Sequence, residues 1–193
     1  MTGSQPPDDR HGEQPAQDVE RVETLSDDDM ASLCEAAHAA ILDGGGSGWI
    51  MPPGHQALER YFRGVLLVPE RELFIARQGG AVVGAAQFIR PAKNEEARAF
   101  GAMLAHSFVA PFARGFGLAR TLTERVEDCA RALGFQVLNL DLREDQEAAK
   151  KLYESMGYIC WGTHPVYARA RGQTLRGYYY YKLLQADSRI MTA

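Results

Sequence analysis

The stretch from Val109 to Ala119, VAPFARGFGLA, constrains this chain more than any other. An apolar run with strand character precedes it and a helical pattern follows it, so an arginine and two glycines sit where a strand hands over to a helix. Such a turn aligns successive backbone N–H groups with the positive end of the helix dipole and makes an anion site, usually for phosphate. It implies a ligand that carries a pyrophosphate.

The rest of the pattern supplies the frame. Ser26 fits an N-cap with three aspartates in the first turn, and Met30, Leu33, Cys34, Ala37 and Ile41 recur at helical spacing. Gly44 to Gly48, GGGSG, ends that helix and reads as a flexible loop. A shorter helix follows with Leu58, Tyr61, Phe62 and Val65 on one face. Strands are expected over Glu72 to Arg77 and Ala81 to Arg90, joined by a glycine turn at Gln78-Gly79-Gly80, and over Arg98 to Val109. Leu118, Leu122, Val126, Cys129 and Leu133 mark a helix that stops at Gly134. Phe135 to Leu142 reads as a strand and Glu147 to Met156 as a helix with Tyr153 on its inner side. Tyr158 to Thr163 and Arg176 to Leu184 read as closing strands, with His164 to Arg176 between them as a loop. Tyr178 to Tyr181 alternate along the last strand, which places two in the core and two outside. The expected fold is a single α/β (α+β) domain, one mixed sheet flanked by helices.

Composition sets the boundaries. With 193 residues, 46% hydrophobic and 24% charged, the chain suits one globular domain. Residues 1–25 have few large apolar side chains and read as a disordered acidic tail, leaving a domain over residues 26–185 and a short tail over 186–193. The first segment holds six acids and two bases, so it accounts for the whole formal charge of −4 and the rest is balanced. A balanced domain argues against a nucleic-acid partner. Cys34, Cys129 and Cys160 are far apart and show no metal-ligand spacing, so neither a disulfide framework nor a bound metal is expected. No apolar run approaches the roughly 20 residues that span a bilayer, and the N-terminus is acidic where a signal peptide is basic. A cytoplasmic location without membrane association is expected, as a monomer or homodimer.

Arg114, Gly115, Phe116, Gly117, Leu118 and Ala119 match the pattern [QR]-x-x-G-x-[GA], preceded by V-x-P as Val109-Ala110-Pro111. Further on, QEAAKKLYESMGY carries Tyr153, Gly157 and Tyr158. On these motifs the chain resembles the GNAT superfamily of acyl-CoA-dependent N-acetyltransferases, over about Ser26 to Leu184. GGGSG, LNLDL and HPVYARARGQTLRGYYYYKLL look most like the branch containing the tabtoxin-resistance acetyltransferase, which acts on small amino compounds. The resemblance implies a mostly antiparallel sheet with a V-shaped splay between its fourth and fifth strands, and acetyl-CoA as co-substrate without a metal. Amides from Arg114 to Arg120 would cradle the coenzyme A pyrophosphate. The edge of Ser107, Phe108 and Val109 would bond the pantetheine amides, with a strand amide as oxyanion donor.

Under the same resemblance Tyr153 is the general acid for the departing thiolate, and Asp141 receives or deprotonates a small-molecule amine. Gln146 stands where the family usually has an asparagine touching the cofactor. Gly44 to Ile50 form a rim over the acceptor, with Trp49 and Tyr167 as candidate substrate-lining residues. A glutamate usual six residues before Val109 is replaced by Met103. His106, on the opposite face by strand alternation, reads as a satisfied core or surface histidine. Other motifs fail: Arg120 stands where a dinucleotide fold needs its third glycine, Ser47 lacks the nucleophile-elbow spacing, and GGGSG lacks the P-loop lysine. The alternatives are a non-catalytic acyl-CoA-binding module or an enzyme acting on protein or peptide amines.

Overall fold

Alternating apolar residues build the sheet, and its two faces divide the core. The computed structural model describes residues 17–45, 48–170 and 172–185. Seven strands form one sheet: β1 (Gln17–Val22), β2 (Arg71–Gln78), β3 (Ala81–Ile89), β4 (Gly101–Val109), β5 (Val137–Arg143), β6 (Ile159–Ala170) and β7 (Gln173–Leu183), in the order β1-β2-β3-β4-β5-β7-β6. Helices α1 (Asp27–Leu42) and α2 (His55–Leu67) cover one face, α3 (Leu118–Ala132) packs on the other, and α4 (Glu147–Ser155) follows β5. Along β2 the side chains part by turns. Leu73 and Ile75 join Leu33, Ile41, Leu58 and Phe62 under α1 and α2. Phe74 and Ala76 join Phe88, Leu122 and Val126 under α3. α1 opens as expected, with the Ser26 hydroxyl accepting the Asp29 amide at 3.1 Å.

Two expectations need correction. Part of the stretch read as a tail is strand: Gln17 to Val22 pairs antiparallel with β2, Val19 is buried, and the ordered domain begins before Ser26. Arg21 fixes this strand by reaching Glu72 on β2 at 3.0 Å. Residues 1–16 of that tail, and residues 186–193, lie outside the described residues. The loop expected over His164 to Arg176 is instead a long β6–β7 hairpin arm that turns at Gly172, whose φ is +77°. Of the four consecutive tyrosines only Tyr180 is fully buried, its hydroxyl donating to Glu154 at 3.0 Å; the other three are half-buried.

All strand pairs are antiparallel except β4 with β5. That parallel pair is short, running only from Gly101–Met103 on β4 against Val137–Asn139 on β5. Beyond it the strands diverge, and the Asn139 amide donates to Ala102 O at 3.1 Å near the fork. The V-shaped splay thus lies between the fourth and fifth strands. On its other side β4 bulges: Ala105 pairs with Gln87 and Phe108 with Ala85, so His106 and Ser107 oppose Ala86 alone. Gly84 lets the backbones close in beside the bulge, because a Cβ there would lie 2.7 Å from Phe108 O.

Candidate active site

The turn after β4 takes the form that its glycines require. Gly115 and Gly117 have φ of +87° and +83°, left-handed values that an L side chain resists, and no heavy atom lies within 4 Å of where either Cβ would be. Gly117 is the N-cap of α3 and has no side chain to cap it, so the first helical amides keep their donors. Open space above left-handed glycines at a helix N-terminus fits a phosphate group. Arg114 turns away from this cradle: its Nε donates to Val109 O at 3.2 Å and its Nη1 to Asp43 at 2.5 Å. Arg120 donates to the Ser155 hydroxyl at 2.7 Å. Leu118 is buried and Ala119 packs against the same core, while Phe116 is exposed.

Between the splayed strands lies a cavity of about 550 Å³ that reaches Ser107, Asp141, Gln146, Tyr153 and Tyr167. The sequence-predicted residues of the donor strand separate here. Ser107 faces the cavity, Phe108 packs toward α1 and α2, and Val109 sits in the core under α3. Tyr153 projects from α4 and is 5% exposed, its ring edge-on to Tyr158 at 5.4 Å. Burial pushes its phenol up, opposed by the Ser107 and Thr123 hydroxyls that interact with it. The phenol therefore keeps its proton through the neutral range.

On β5, Leu140 and Leu142 are buried and Asp141 points into the cavity. The Tyr167 hydroxyl donates to Asp141 Oδ2. This contact depends on a second irregularity. Between His164 and Ala168 β6 carries extra residues against β7, which throws Tyr167 back over Gly177. A Cβ at Gly177 would overlap ring carbons of Tyr167 and lie 2.7 Å from its Cβ, so this glycine makes room for the ring. Burial first, then the hydrogen bond to Asp141, raises the Tyr167 phenol well above its ordinary value. Gln146 lines the cavity and its Oε1 accepts the Arg143 amide at 3.1 Å, closing the turn into α4.

Another side of the cavity is walled by described parts of the α1–α2 loop. Gly48 and Ile50 line the cavity. Trp49 does not; it packs edge-on against Tyr61 at 4.9 Å in an adjoining apolar recess. Gly46 and Ser47 of that rim lie outside the described residues. Arg143 anchors the loop by donating to Gly44 O. Strand alternation did not bring His106, read as a satisfied core or surface histidine, to the cavity, yet it lines both the recess and the cavity. It is half-buried, and its ring nitrogens have no hydrogen-bond partner among the described residues. The bulge breaks the alternation on which that reading rested, and no glycine or proline marks it in the sequence.

With the geometry in place, the comparisons with known proteins align with it. The family model of the acetyltransferase (GNAT) family matches residues 39–158, from late α1 past α4. An uncharacterized N-acetyltransferase of the hisH-hisA intergenic region of Azospirillum brasilense is 56% identical over 128 residues, covering 66% of this chain and 76% of that protein. The fold is similar to an N-acetyltransferase from Staphylococcus aureus Mu50, with a TM-score of 0.75 at 19% identity over 88% of this chain and 99% of that one. It is also similar to yncA, a putative acetyltransferase from Salmonella typhimurium solved with its cofactor acetyl-CoA, with a TM-score of 0.73 at 19% identity over 90% and 96% of the two chains. The glycine cradle, the splay and the tyrosine helix all fall within the matched residues or lead into them. This chain belongs to the GNAT family of acetyltransferases.

Proposed function

We propose that this protein moves the acetyl group of acetyl-CoA to a primary amine of a small molecule by direct attack. The observation that carries the reading is the splay itself: one cavity joins Ser107 on the donor strand, the Tyr153 phenol and the Asp141 carboxylate. The bound thioester supplies the activated acetyl group. Amides of Gly115 to Arg120 hold its pyrophosphate, and β4 beyond Met103, unpaired on its β5 side, offers an edge to the pantetheine arm. Gln146 steadies the turn beside that arm through Arg143.

Tyr153 holds the proton that the leaving sulfur needs. A phenol whose ionisation burial has pushed up gives it to a nascent thiolate and not to water. Asp141, oriented by Tyr167, receives the amine as an ammonium. A small acceptor suits the enclosure: Gly48 and Ile50 wall the cavity on one side, and Tyr167 and Arg169 of the β6–β7 arm on the other. It is also the acceptor class implied by the resemblance to the tabtoxin-resistance branch.

The test is thiol release from acetyl-CoA across amino acids, polyamines, antibiotics and short peptides. Turnover with a small amine is expected, and Tyr153→Phe should lower kcat by about 100-fold or more. Turnover with peptides alone would refute the small-molecule reading. Thermal stabilisation by CoA without amine-dependent turnover would refute catalysis.

A further inference from the structure

We infer that His106 takes the proton from the incoming ammonium, leaving Asp141 to bind it; the inference rests on the acetyl-transfer reading above. His106 is the non-glycine residue with positive φ among the described residues, at +49°. Strained backbone of this kind persists where surrounding structure enforces it and clusters at functional sites. Here the β4 bulge enforces it, spending two residues against Ala86. The turned ring lies edge-on to Tyr61, centroids 6.1 Å apart, and borders the cavity that holds Ser107, Asp141 and Tyr153. Its ring, without a hydrogen-bond partner among the described residues, is part of the wall of that cavity.

The charges around it suit a base. Burial, and then the Arg71 guanidinium on β2, hold the imidazole below its ordinary value of 6.5, while Asp141 on β5 opposes them. From α2 the facing group is Tyr61, whose hydroxyl accepts from Gln87 of β3 at 2.8 Å. The ring is therefore neutral at pH 7. Asp141 is placed differently. Its carboxylate already accepts the Tyr167 hydroxyl, which fixes it beside the cavity as a partner for an ammonium.

The protons balance. A His106 nitrogen takes one proton from the ammonium and later releases it to solvent. The freed nitrogen lone pair bonds to the acetyl carbon and the carbon–sulfur bond breaks. The amine nitrogen loses its second proton to solvent as the amide forms, and solvent returns one to the Tyr153 phenolate, which gave its proton to the sulfur.

The test is His106→Asn, since asparagine tolerates positive φ and can keep the bulge, with His106→Gln as the second variant. With an amine the wild type turns over, kcat/KM should fall about 100-fold or more while CoA binding is unchanged. The wild-type profile of kcat/KM against pH should rise through an ionisation below 6.5. In the variants that limb should be replaced by the amine's own ionisation, and added imidazole should restore part of the rate. Independently of turnover, NMR of the enzyme without acetyl-CoA should show the His106 ring titrating below 6.5, and lower still in Asp141→Asn. Variants that keep both rate and limb, or a ring indifferent to Asp141→Asn, overturn the assignment. A wild type that acetylates no amine would instead overturn the reading beneath it.

Discussion

Gly177→Ala isolates the contact that orients Asp141. The glycine is buried on β7 and its φ is not left-handed, so alanine brings no backbone strain, only a methyl group. That methyl would overlap Cγ and Cδ2 of Tyr167 and lie 2.7 Å from its Cβ. Because the root of the side chain is struck as well as the ring, a small rotation gives no relief and the tyrosine must leave. Leaving forfeits a hydrogen bond to a carboxylate, about 1.5 to 3 kcal/mol, and an edge contact with Tyr179 at 6.1 Å, about 0.5 to 1.5 kcal/mol. Urea unfolding should therefore show a loss of about 2 to 4.5 kcal/mol with an unchanged slope. KM for the amine should rise, because Asp141 loses its orienting partner. In a Tyr167→Ala background the same substitution meets no ring and should cost under about 0.5 kcal/mol. An equal cost in both backgrounds would refute the mechanism, since the clash would then lie elsewhere.

Other tests address the donor end and the frame. Gly117→Ala puts a side chain at φ +83°, so it should destabilise by about 1 to 2 kcal/mol and weaken CoA binding in calorimetry, while Gly134→Ala, also at +83° but past α3, should cost stability alone. The Glu72 carboxyl is one that burial alone would raise, but hydrogen bonds from Arg21, Arg90 and the Cys129 thiol outweigh this and hold it below its usual range. Such a group stabilises the fold above its unfolded value of about 4.3 and loses that contribution as pH falls through the lower folded value. The stability gap between wild type and Glu72→Gln should thus close as pH falls below about 4.3, and a constant gap would exclude Glu72 from the acid limb.

α1 and α3 were legible because apolar spacing agrees with their end signals, Ser26 before Met30 to Ile41 and Gly117 to Gly134 around α3, while α2 and α4 were legible from apolar spacing alone. The turn after β4 was legible because left-handed turns need glycine. β1 was not, since its six residues hold two valines among polar ones, and their burial depends on pairing with β2 far along the chain. The β6–β7 arm was hidden by Pro165, Gly172 and a run of polar residues that suggest a loop; pairing across the hairpin overrides that local preference. The bulge at His106 left no local trace because it is enforced from β3. The Tyr167–Asp141 contact needs both a β6 irregularity and a bare Gly177, a coincidence of three strands that no window of sequence contains.

Two arginines carry the remaining logic of the site. Arg114, in the motif that reads as a phosphate cradle, spends its side chain on Val109 O and on Asp43 at the end of α1. Arg143, at the end of β5, reaches the next residue of the same loop through Gly44 O. Gly45, in turn, is bare where a Cβ would lie 3.1 Å from Ala40 O and 3.6 Å from the Arg114 guanidinium. The turn after β4, the Asp141 strand and the α1–α2 loop are therefore fastened at one place. Asp43 and Arg114 are each nearly half exposed, so their ion pair adds little to global stability. Its structural effect is to register the α1–α2 loop against the glycine turn, which gives the motif arginine a positioning role although its guanidinium is spent away from the turn.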